Sequence, residues 1–195
     1  RTVQIDSRPS DAIALGAADL SRMAMAGTGL IWLPRSNVTL YGDTAMVTAA
    51  ARMGVQIALG TDWIRTGSMN LLRELRCADG LNRDYFGGFF SDRDLWKMVT
   101  QSPAILSGVS SAIGVLAPGR LADVAVFDGR ERADFRAVIE AGPSDVALVL
   151  RGGTALYGDV NLASVLDQEA ACDTLDVCGS SRFLCLAETG RTLAY

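Results

Sequence analysis

The sequence contains no histidine among its 195 residues. Histidine is the commonest protein ligand of transition metals and the usual acid–base group near pH 7. A complete hydrolytic enzyme without histidine would be unusual. We therefore expect either a protein that is not an enzyme, or histidines that lie in sequence outside these 195 residues.

Basic clusters, long apolar runs and aromatic residues are also scarce. The net charge is -4 and no Lys/Arg-rich run is present, which argues against a nucleic-acid partner. No apolar run approaches the roughly 20 residues of a membrane span. Hydrophobic residues make up 49% with 20 glycines, a mixture typical of a well-packed α/β protein. The first residue is neither an initiator Met nor part of a signal peptide, so we expect a piece of a longer polypeptide.

The first half of the chain alternates between helical patterns and short buried strands. We predict strands at residues 30–33 and 55–59, a loop at 34–43, and helices at 10–26, 44–53, 70–82 and 92–100, with a further helical turn after residue 103. This βαβα order predicts a parallel sheet or barrel.

The pattern changes at Gly114, and we place a domain boundary near residue 113. Residues 114–129 predict two short strands around a Pro118–Gly119 turn, and residues 138–141 and 146–153 predict two more. The sequence therefore predicts a first domain at 1–113 and a small β domain with a C-terminal tail at 114–195.

Asp62 is the first candidate for chemistry, because it follows a predicted buried strand. Barrels of alternating strands and helices place catalytic groups at the carboxyl ends of their strands, and Gly60 allows a sharp turn there. The alternative is that Asp62 only caps the following loop or helix. The spacing alone favours this structural role.

Three stretches together resemble the amidohydrolase superfamily, in particular its chlorohydrolase and cytosine-deaminase-like branch. They are residues 32–37 (WLPRSN), residues 60–62 (GTD) and residues 114–123 (GVLAPGRLAD). Their order and spacing agree with the family, and the resemblance covers about residues 10 to 160.

The resemblance implies the C-terminal part of a (β/α)8 TIM barrel plus a small composite β-sandwich built from both chain termini. The family's metal ligands are four histidines and one aspartate, and only the aspartate has a counterpart, Asp62. The resemblance therefore implies a divalent metal, zinc or iron, that needs histidines outside this segment. It gives Asp62 two roles, metal ligand and acceptor of a proton from the attacking water.

Other residues near these motifs are candidates for substrate binding. By analogy Ser36 and Asn37 shape the pocket, or they hold neighbouring loops. Trp63, Arg65 and Ser68 follow Asp62 and are predicted to contact substrate, although Trp63 could instead pack under the loop.

Three further acidic positions have alternative interpretations. Asp11 lies near the place of a family histidine, so it is a substituted ligand, a helix cap or the result of a shifted alignment. Glu74, between Arg73 and Arg76, is predicted to lie on a solvated helix face. Asp123 is predicted to be structural.

The cysteine spacing bears on the compartment of the protein. Cys172, Cys178 and Cys185 are too widely spaced for a usual zinc site. A disulfide between two of them predicts an exported or periplasmic protein, and reduced thiols predict a cytoplasmic one. Cys77 is predicted to be a small core residue.

Two main functional hypotheses follow. The first is part of an enzyme that hydrolyses C–N bonds in amides, cyclic amides or deaminable rings, or C–Cl bonds, in a small-molecule substrate. The second is a non-catalytic, amidohydrolase-like binding or assembly protein that has lost metal ligands. An unrelated doubly wound α/β domain is a third alternative. The expected partner is the rest of the same polypeptide, and a homo-oligomer is a further option. We expect the isolated 195 residues to be inactive.

Overall fold

The computed structural model describes residues 12–166 and 172–186. Within these ranges the chain divides into two compact units between Val115 and Leu116. In chain order the helices and strands are α1 (Ala17–Ala26), β1 (Leu30–Trp32), α2 (Pro34–Tyr41), α3 (Val47–Arg52), β2 (Ile57–Leu59), α4 (Leu71–Asp84), α5 (Asp92–Lys97), α6 (Gln101–Leu106), β3 (Val124–Phe127), α7 (Arg136–Ile139), β4 (Val146–Arg151), β5 (Thr154–Asp159), β6 (Asp173–Val177) and β7 (Ser180–Leu184). A search of the described helices finds none with the length and hydropathy to cross a membrane.

The first unit is organised around a parallel pair of strands. Leu30 of β1 pairs with Ile57 of β2, and Trp32 pairs with Leu59. The connection between them contains α2 and α3, so the segment is a βαβ unit as predicted. The two strands point the same way, and the residues that follow them therefore lie at one edge of the sheet.

Helix α1 begins later than its apolar pattern predicts. Its first residue is Ala17, and the N–H of Gly16 donates to the Asp19 carboxylate at 3.0 Å. Gly27 ends the helix with a φ of 65°, a left-handed conformation that glycine adopts without steric cost. The predicted start near residue 10 falls on residues outside the described range.

The prediction of a loop at residues 34–43 is wrong, because most of this segment is helix α2. Pro34 occupies the first turn of the helix, where its fixed φ suits a helix and its missing N–H costs nothing. Gly42 then ends the helix with a φ of 68°. The proline was interpreted as a loop signal, whereas here it begins a helix.

The remaining helices of the first unit lie where the sequence predicts them, with shifted ends. Helix α4 begins after Asn70, whose side-chain oxygen accepts the N–H of Arg73 at 3.0 Å. Helices α3 and α5 are shorter than predicted, and α6 already begins at Gln101. The apolar core of this unit includes the fully buried Trp32, Val47, Ala50, Leu75 and Leu95.

The second unit contains a five-stranded antiparallel sheet in the order β3-β4-β5-β7-β6. One of the two predicted strands around Pro118–Gly119 is β3, whereas residues 116–123 contain no strand. The strand predicted at 138–141 is also wrong, because these residues belong to or follow α7. Val and Ile favour strands only weakly, and here Ile139 is fully buried on a helical turn.

A hydrogen bond and a disulfide link residues that flank the strands of this sheet. The carboxylate of Asp123 accepts the N–H of Gly152 at 2.7 Å, which is a structural role as predicted. Cys172 and Cys185 form a disulfide pair, while Cys178 is an exposed free thiol. Buried Phe183 and Ala155 form the core beside them, and Cys185 belongs to the same cluster.

Candidate functional site

Asp62 lies just after β2, at the edge of the sheet where both parallel strands end. Its carboxylate is exposed and its backbone has a φ of 52°. A left-handed backbone is uncommon for residues other than glycine, and such residues concentrate at functional sites. Gly60 leaves room for two neighbouring side chains, because a Cβ there would lie 2.6 Å from a methyl group of Leu33 and 2.8 Å from one of Ile31.

Ser36 joins the two strand ends. It lies in the first turn of α2, directly after β1, and is fully buried. Its hydroxyl donates a hydrogen bond to Oδ2 of Asp62 and lies 3.2 Å from the Thr66 hydroxyl. Among the described residues, the printed partner of the Asp62 carboxylate is this Ser36 hydroxyl at Oδ2.

The loop after Asp62 folds back on itself. The N–H of Gly67 donates to the carbonyl of Trp63 at 2.7 Å, and the N–H of Ser68 donates to the carbonyl of Thr61 at 2.9 Å. A Cβ at Gly67 would lie 1.9 Å from the Thr61 carbonyl oxygen. Only glycine permits this close approach of the backbone.

Arg35 connects the start of α2 to this loop and to α4. Its side-chain Nε–H donates to the carbonyl of Gly67 at 3.1 Å, and its backbone N–H donates to Oε2 of Glu74 at 3.2 Å. The residue directly before Ser36 is therefore tied to both neighbouring elements.

Glu74 is fully buried, so its predicted place on a solvated helix face is wrong, although Arg73 and Arg76 are exposed. Burial raises the pKa of Glu74, while the Ser68 hydroxyl and the Arg35 N–H partly oppose this rise. Its spacing of four residues from Ala78 is the signal that would have revealed its buried position, because residues i and i+4 share one helix face.

Asn37 is buried behind the sheet edge. Its side-chain oxygen accepts hydrogen bonds from the Ala45 N–H at 3.4 Å and the Thr44 hydroxyl at 3.5 Å. Thr44 Oγ1 in turn accepts the indole N–H of Trp32 at 2.8 Å. These contacts join Asn37 to the loop after α2.

Trp63 and Arg65 lie on the surface of the loop that follows Asp62. Trp63 is 59% exposed, so it does not pack under the loop. The Arg65 guanidinium carbon lies 5.3 Å from the centre of the Trp63 ring, within the range of a cation–π contact. An aromatic face and a cation are thus available beside the exposed carboxylate.

Metal ligands do not cluster in the part of the chain that the structure describes. No group of three or more Cys, Asp or Glu side chains is placed there to hold an ion. Asp11, the candidate substituted ligand, lies outside the described residues. Asp62 is therefore a single ligand candidate that needs partners from elsewhere.

A charged cavity of about 590 Å³ lies in the second unit, but its arginines are already paired. Its lining includes three ion pairs, Arg130–Asp128, Arg132–Glu140 and Arg182–Asp159. The Arg130 hydrogen bonds lower the pKa of Asp128 to about 2. Since all three arginines of this lining are held in ion pairs, the Asp62 edge is the stronger candidate site.

Comparison with known proteins agrees with this geometry. Residues 9–156 match the amidohydrolase family. A 5-methylthioadenosine/S-adenosylhomocysteine deaminase of Pyrococcus abyssi is 29% identical over 83% of this chain and 40% of its own length. An adenosine deaminase of Xanthomonas campestris with bound zinc superposes with a TM-score of 0.68, at 21% identity over 74% of this chain and 35% of the other. An atrazine chlorohydrolase of Arthrobacter aurescens in complex with zinc superposes with a TM-score of 0.62. Its sequence identity is 25%, over 74% of this chain and 34% of the other.

The described structure has an α/β fold whose structural neighbours belong to the amidohydrolase TIM-barrel enzymes. The chain belongs to the amidohydrolase family, as the resemblance implies. It spans 40% or less of the length of the relatives compared above. Their names, two deaminases and a chlorohydrolase, are consistent with hydrolysis of C–N or C–Cl bonds.

Proposed function

We propose that the full-length protein is a metal-dependent hydrolase that cleaves a C–N or C–Cl bond with an activated water. The observation that carries this proposal is the position of Asp62 at the carboxyl end of β2, hydrogen-bonded to Ser36 at the end of the neighbouring β1. Catalytic groups of barrel enzymes lie at this edge of the sheet.

A divalent metal, zinc or iron, suits the exposed carboxylate of Asp62, because both metals accept carboxylate ligands. The further ligands would be histidines from polypeptide outside the 195 residues, which contain none. When bound, such a metal lowers the pKa of its water from about 15.7 to about 7.

The residues of this chain then have distinct roles. Asp62 accepts a proton of the attacking water. It passes this proton to a leaving nitrogen, whereas a leaving chloride departs as the anion and the proton is released to solvent. Ser36 holds Oδ2 of the carboxylate by its hydrogen bond, so that Oδ1 would be the oxygen that binds the metal. Buried Asn37 keeps the loop after α2 in place and so shapes the pocket from behind.

A planar, aminated or chlorinated ring is the substrate class that we favour, with amides and cyclic amides as the alternative. The relatives named as deaminases and as a chlorohydrolase support it. Exposed Trp63 offers an aromatic face on which such a ring stacks, and Arg65 offers hydrogen bonds to ring nitrogens or carbonyls.

The rest of the same polypeptide is proposed to complete both units. A two-stranded parallel sheet such as β1–β2 is not stable alone, so residues 1–113 would form the last part of a (β/α)8 barrel. Among the described residues, β3 and β6 are the edge strands of the second unit's sheet, where further strands of a composite β domain would add. A second copy of the chain is the alternative partner. The Cys172–Cys185 pair supports an oxidising compartment.

The test is turnover by the full-length protein on adenosine, 5-methylthioadenosine, S-adenosylhomocysteine, 8-oxoguanine and a chlorotriazine. We expect hydrolysis of at least one of them, lost after chelation and restored by zinc or iron. A folded, full-length protein that binds these compounds without turnover at any metal loading would instead support the non-catalytic alternative. Turnover by the isolated 195 residues would contradict the need for outside ligands.

A further inference from the structure

Glu74 stands out because a fully buried carboxylate is expensive unless its hydrogen bonds are satisfied. Only Oε2 has a partner of good geometry, the Arg35 N–H at 3.2 Å. Among the described residues, Oε1 of Glu74 and Oγ of Ser68 are both buried without such a bond. The Ser68 hydroxyl nevertheless lies close enough to Glu74 to lower its pKa.

The two neighbours of Glu74 belong to the two segments that carry the Ser36–Asp62 pair. Arg35 directly precedes Ser36, and Ser68 closes the loop that begins at Asp62, with its N–H on the Thr61 carbonyl. The Glu74 carboxylate therefore lies between the start of α2 and the end of the Asp62 loop.

We propose that Glu74 is a positioning residue: its buried carboxylate fixes the start of α2 and the Asp62 loop relative to each other, and so sets the direction of the Asp62 carboxylate. This inference rests on the proposed function, in which Asp62 binds a metal. Glu74 itself touches neither substrate nor metal and acts through Arg35 and Ser68.

The alternative is that Glu74 serves only to pack α4 against its neighbours. The two roles differ in their effect on metal binding. Loss of packing lowers the stability of the apoprotein and leaves the metal affinity of the folded fraction unchanged. Loss of positioning weakens the metal affinity of a protein that still folds, since residues that orient a ligand typically contribute 10- to 100-fold to affinity.

The experiment measures the Zn²⁺ dissociation constant of the full-length apoprotein, by competition with a chelator, together with its thermal midpoint. Glu74→Met keeps the side-chain length and removes the acceptor, and exchanging a buried charge for an apolar group is often tolerated. We expect Zn²⁺ to bind this variant at least about 10-fold more weakly. Glu74→Gln keeps an oxygen for the Arg35 N–H and is expected to stay within about threefold of wild type.

Asp79→Ala is the matched control, because Asp79 is another buried carboxylate of α4, five residues further on. We expect it to lower the thermal midpoint while the Zn²⁺ affinity of the folded protein stays within about threefold. If Glu74→Met fails to fold, the Ser68→Ala variant carries the test, and its expected result is a Zn²⁺ affinity weakened several-fold.

A folded Glu74→Met or Ser68→Ala variant with the wild-type Zn²⁺ affinity overturns the positioning role. The Asp62→Asn variant separates this failure from that of the proposed function. If Asp62→Asn binds Zn²⁺ as tightly as wild type, the metal site itself is wrong and both proposals fail. If Asp62→Asn loses Zn²⁺ and Glu74→Met does not, only the inference about Glu74 fails.

Discussion

Buried polar side chains are distributed very differently in the two units. The first unit buries several of them, and Ser36, Glu74 and Ser68 surround the loop that carries Asp62. In the described part of the second unit the buried polar side chain is Arg182, which is paired with Asp159 and with the Ser144 carbonyl.

This difference favours the first unit as the one that carries the candidate site. Burying polar groups costs free energy unless their hydrogen bonds are made. Beside the Asp62 loop, Oε1 of Glu74 and Oγ of Ser68 lack such bonds, and in the described part of the second unit Nε of Arg182 lacks one. The units differ in where buried polar groups concentrate. Ser36, Glu74 and Ser68 lie around one exposed carboxylate, Asp62, whereas Arg182 is paired with Asp159 within the sheet. Substitutions in the two units should therefore change different measured quantities.

The largest expected effect is on turnover, from Asp62→Asn in the full-length protein. Asparagine keeps the shape but neither accepts the proton nor binds a cation as strongly, so kcat/KM should fall at least about 10³-fold. Because Asp62 is exposed, the thermal midpoint of the variant should stay close to that of the wild type. Steady-state kinetics and a thermal scan check both. If the Asp62→Asn variant loses turnover because it unfolds, Asp62 contributes to stability and the contrast between the two units is wrong.

Reducing the Cys172–Cys185 disulfide should act on stability and not on turnover. The pair closes a loop with a sequence separation of 13, and breaking such a loop costs about 3 kcal/mol. Amide hydrogen exchange should therefore rise in β6 and β7 and stay constant in β1 and β2. Cys178→Ser, at the exposed free thiol, is the control without effect. Equal loss of protection in both sheets would contradict this local role.

Arg182→Met should destabilise the second unit by about 2 kcal/mol, since it leaves Asp159 and the Ser144 carbonyl without their buried partner. The estimate is below the full value for a buried pair because Asp159 is 38% exposed. Arg130 lines the same cavity, but its pair with Asp128 is exposed, so Arg130→Met should destabilise the protein less than Arg182→Met. Denaturant unfolding measures both, and equal losses would show that burial of Arg182 is unimportant.

The smallest effect is a difference in pH dependence. Burial raises the pKa of Glu74, so its stabilising contribution is complete below the unfolded value and is lost as the pH rises through the folded one. Glu74→Gln does not titrate, and its stability relative to wild type should therefore increase from pH 4 to pH 7. A relative stability that is flat across this range would show that Glu74 stays uncharged or well solvated.

The carboxylates of the second unit should respond in the opposite direction. Asp128 has a pKa of about 2, and hydrogen bonds from the Asn161 backbone and from Arg182 lower the pKa of Asp159. Their contributions are present above the unfolded value and are lost as the pH falls through the folded one. Acid should therefore weaken the protection of β5 from hydrogen exchange, and an acid-resistant β5 would contradict the pairing with Arg182.

The sequence predicted the elements whose signals are local and repeated. The buried strands around Ile31 and Ala58 were recognisable from their apolar runs, and the helix after Asn70 was predicted nearly at its observed bounds. The failures came where one signal has two meanings: Pro34 begins a helix instead of breaking one, and residues 138–141 carry strand-forming side chains on a helical turn. Only tertiary packing decides between such alternatives.

The site was predictable in part for the same reason. Asp62 and Ser36 were candidates because residues 60–62 and 32–37 resemble motifs of the amidohydrolase superfamily, and the structure brings the two side chains together at one sheet edge. Glu74 was missed, because its charged neighbours Arg73 and Arg76 suggested an exposed face, and only the α2–α4 packing shows that it points inward. The tie between Arg35 and Gly67 involves a backbone carbonyl, which no side-chain pattern reveals.

The central claim is that a metal ion binds to the Asp62 carboxylate. The most direct measurement is an anomalous difference map from crystals of the full-length, zinc-loaded protein, collected at the zinc absorption edge. We predict a peak about 2.0–2.2 Å from a carboxylate oxygen of Asp62, the usual distance for zinc and a carboxylate. A zinc peak away from Asp62, or no peak in a protein that turns over substrate, would contradict the account.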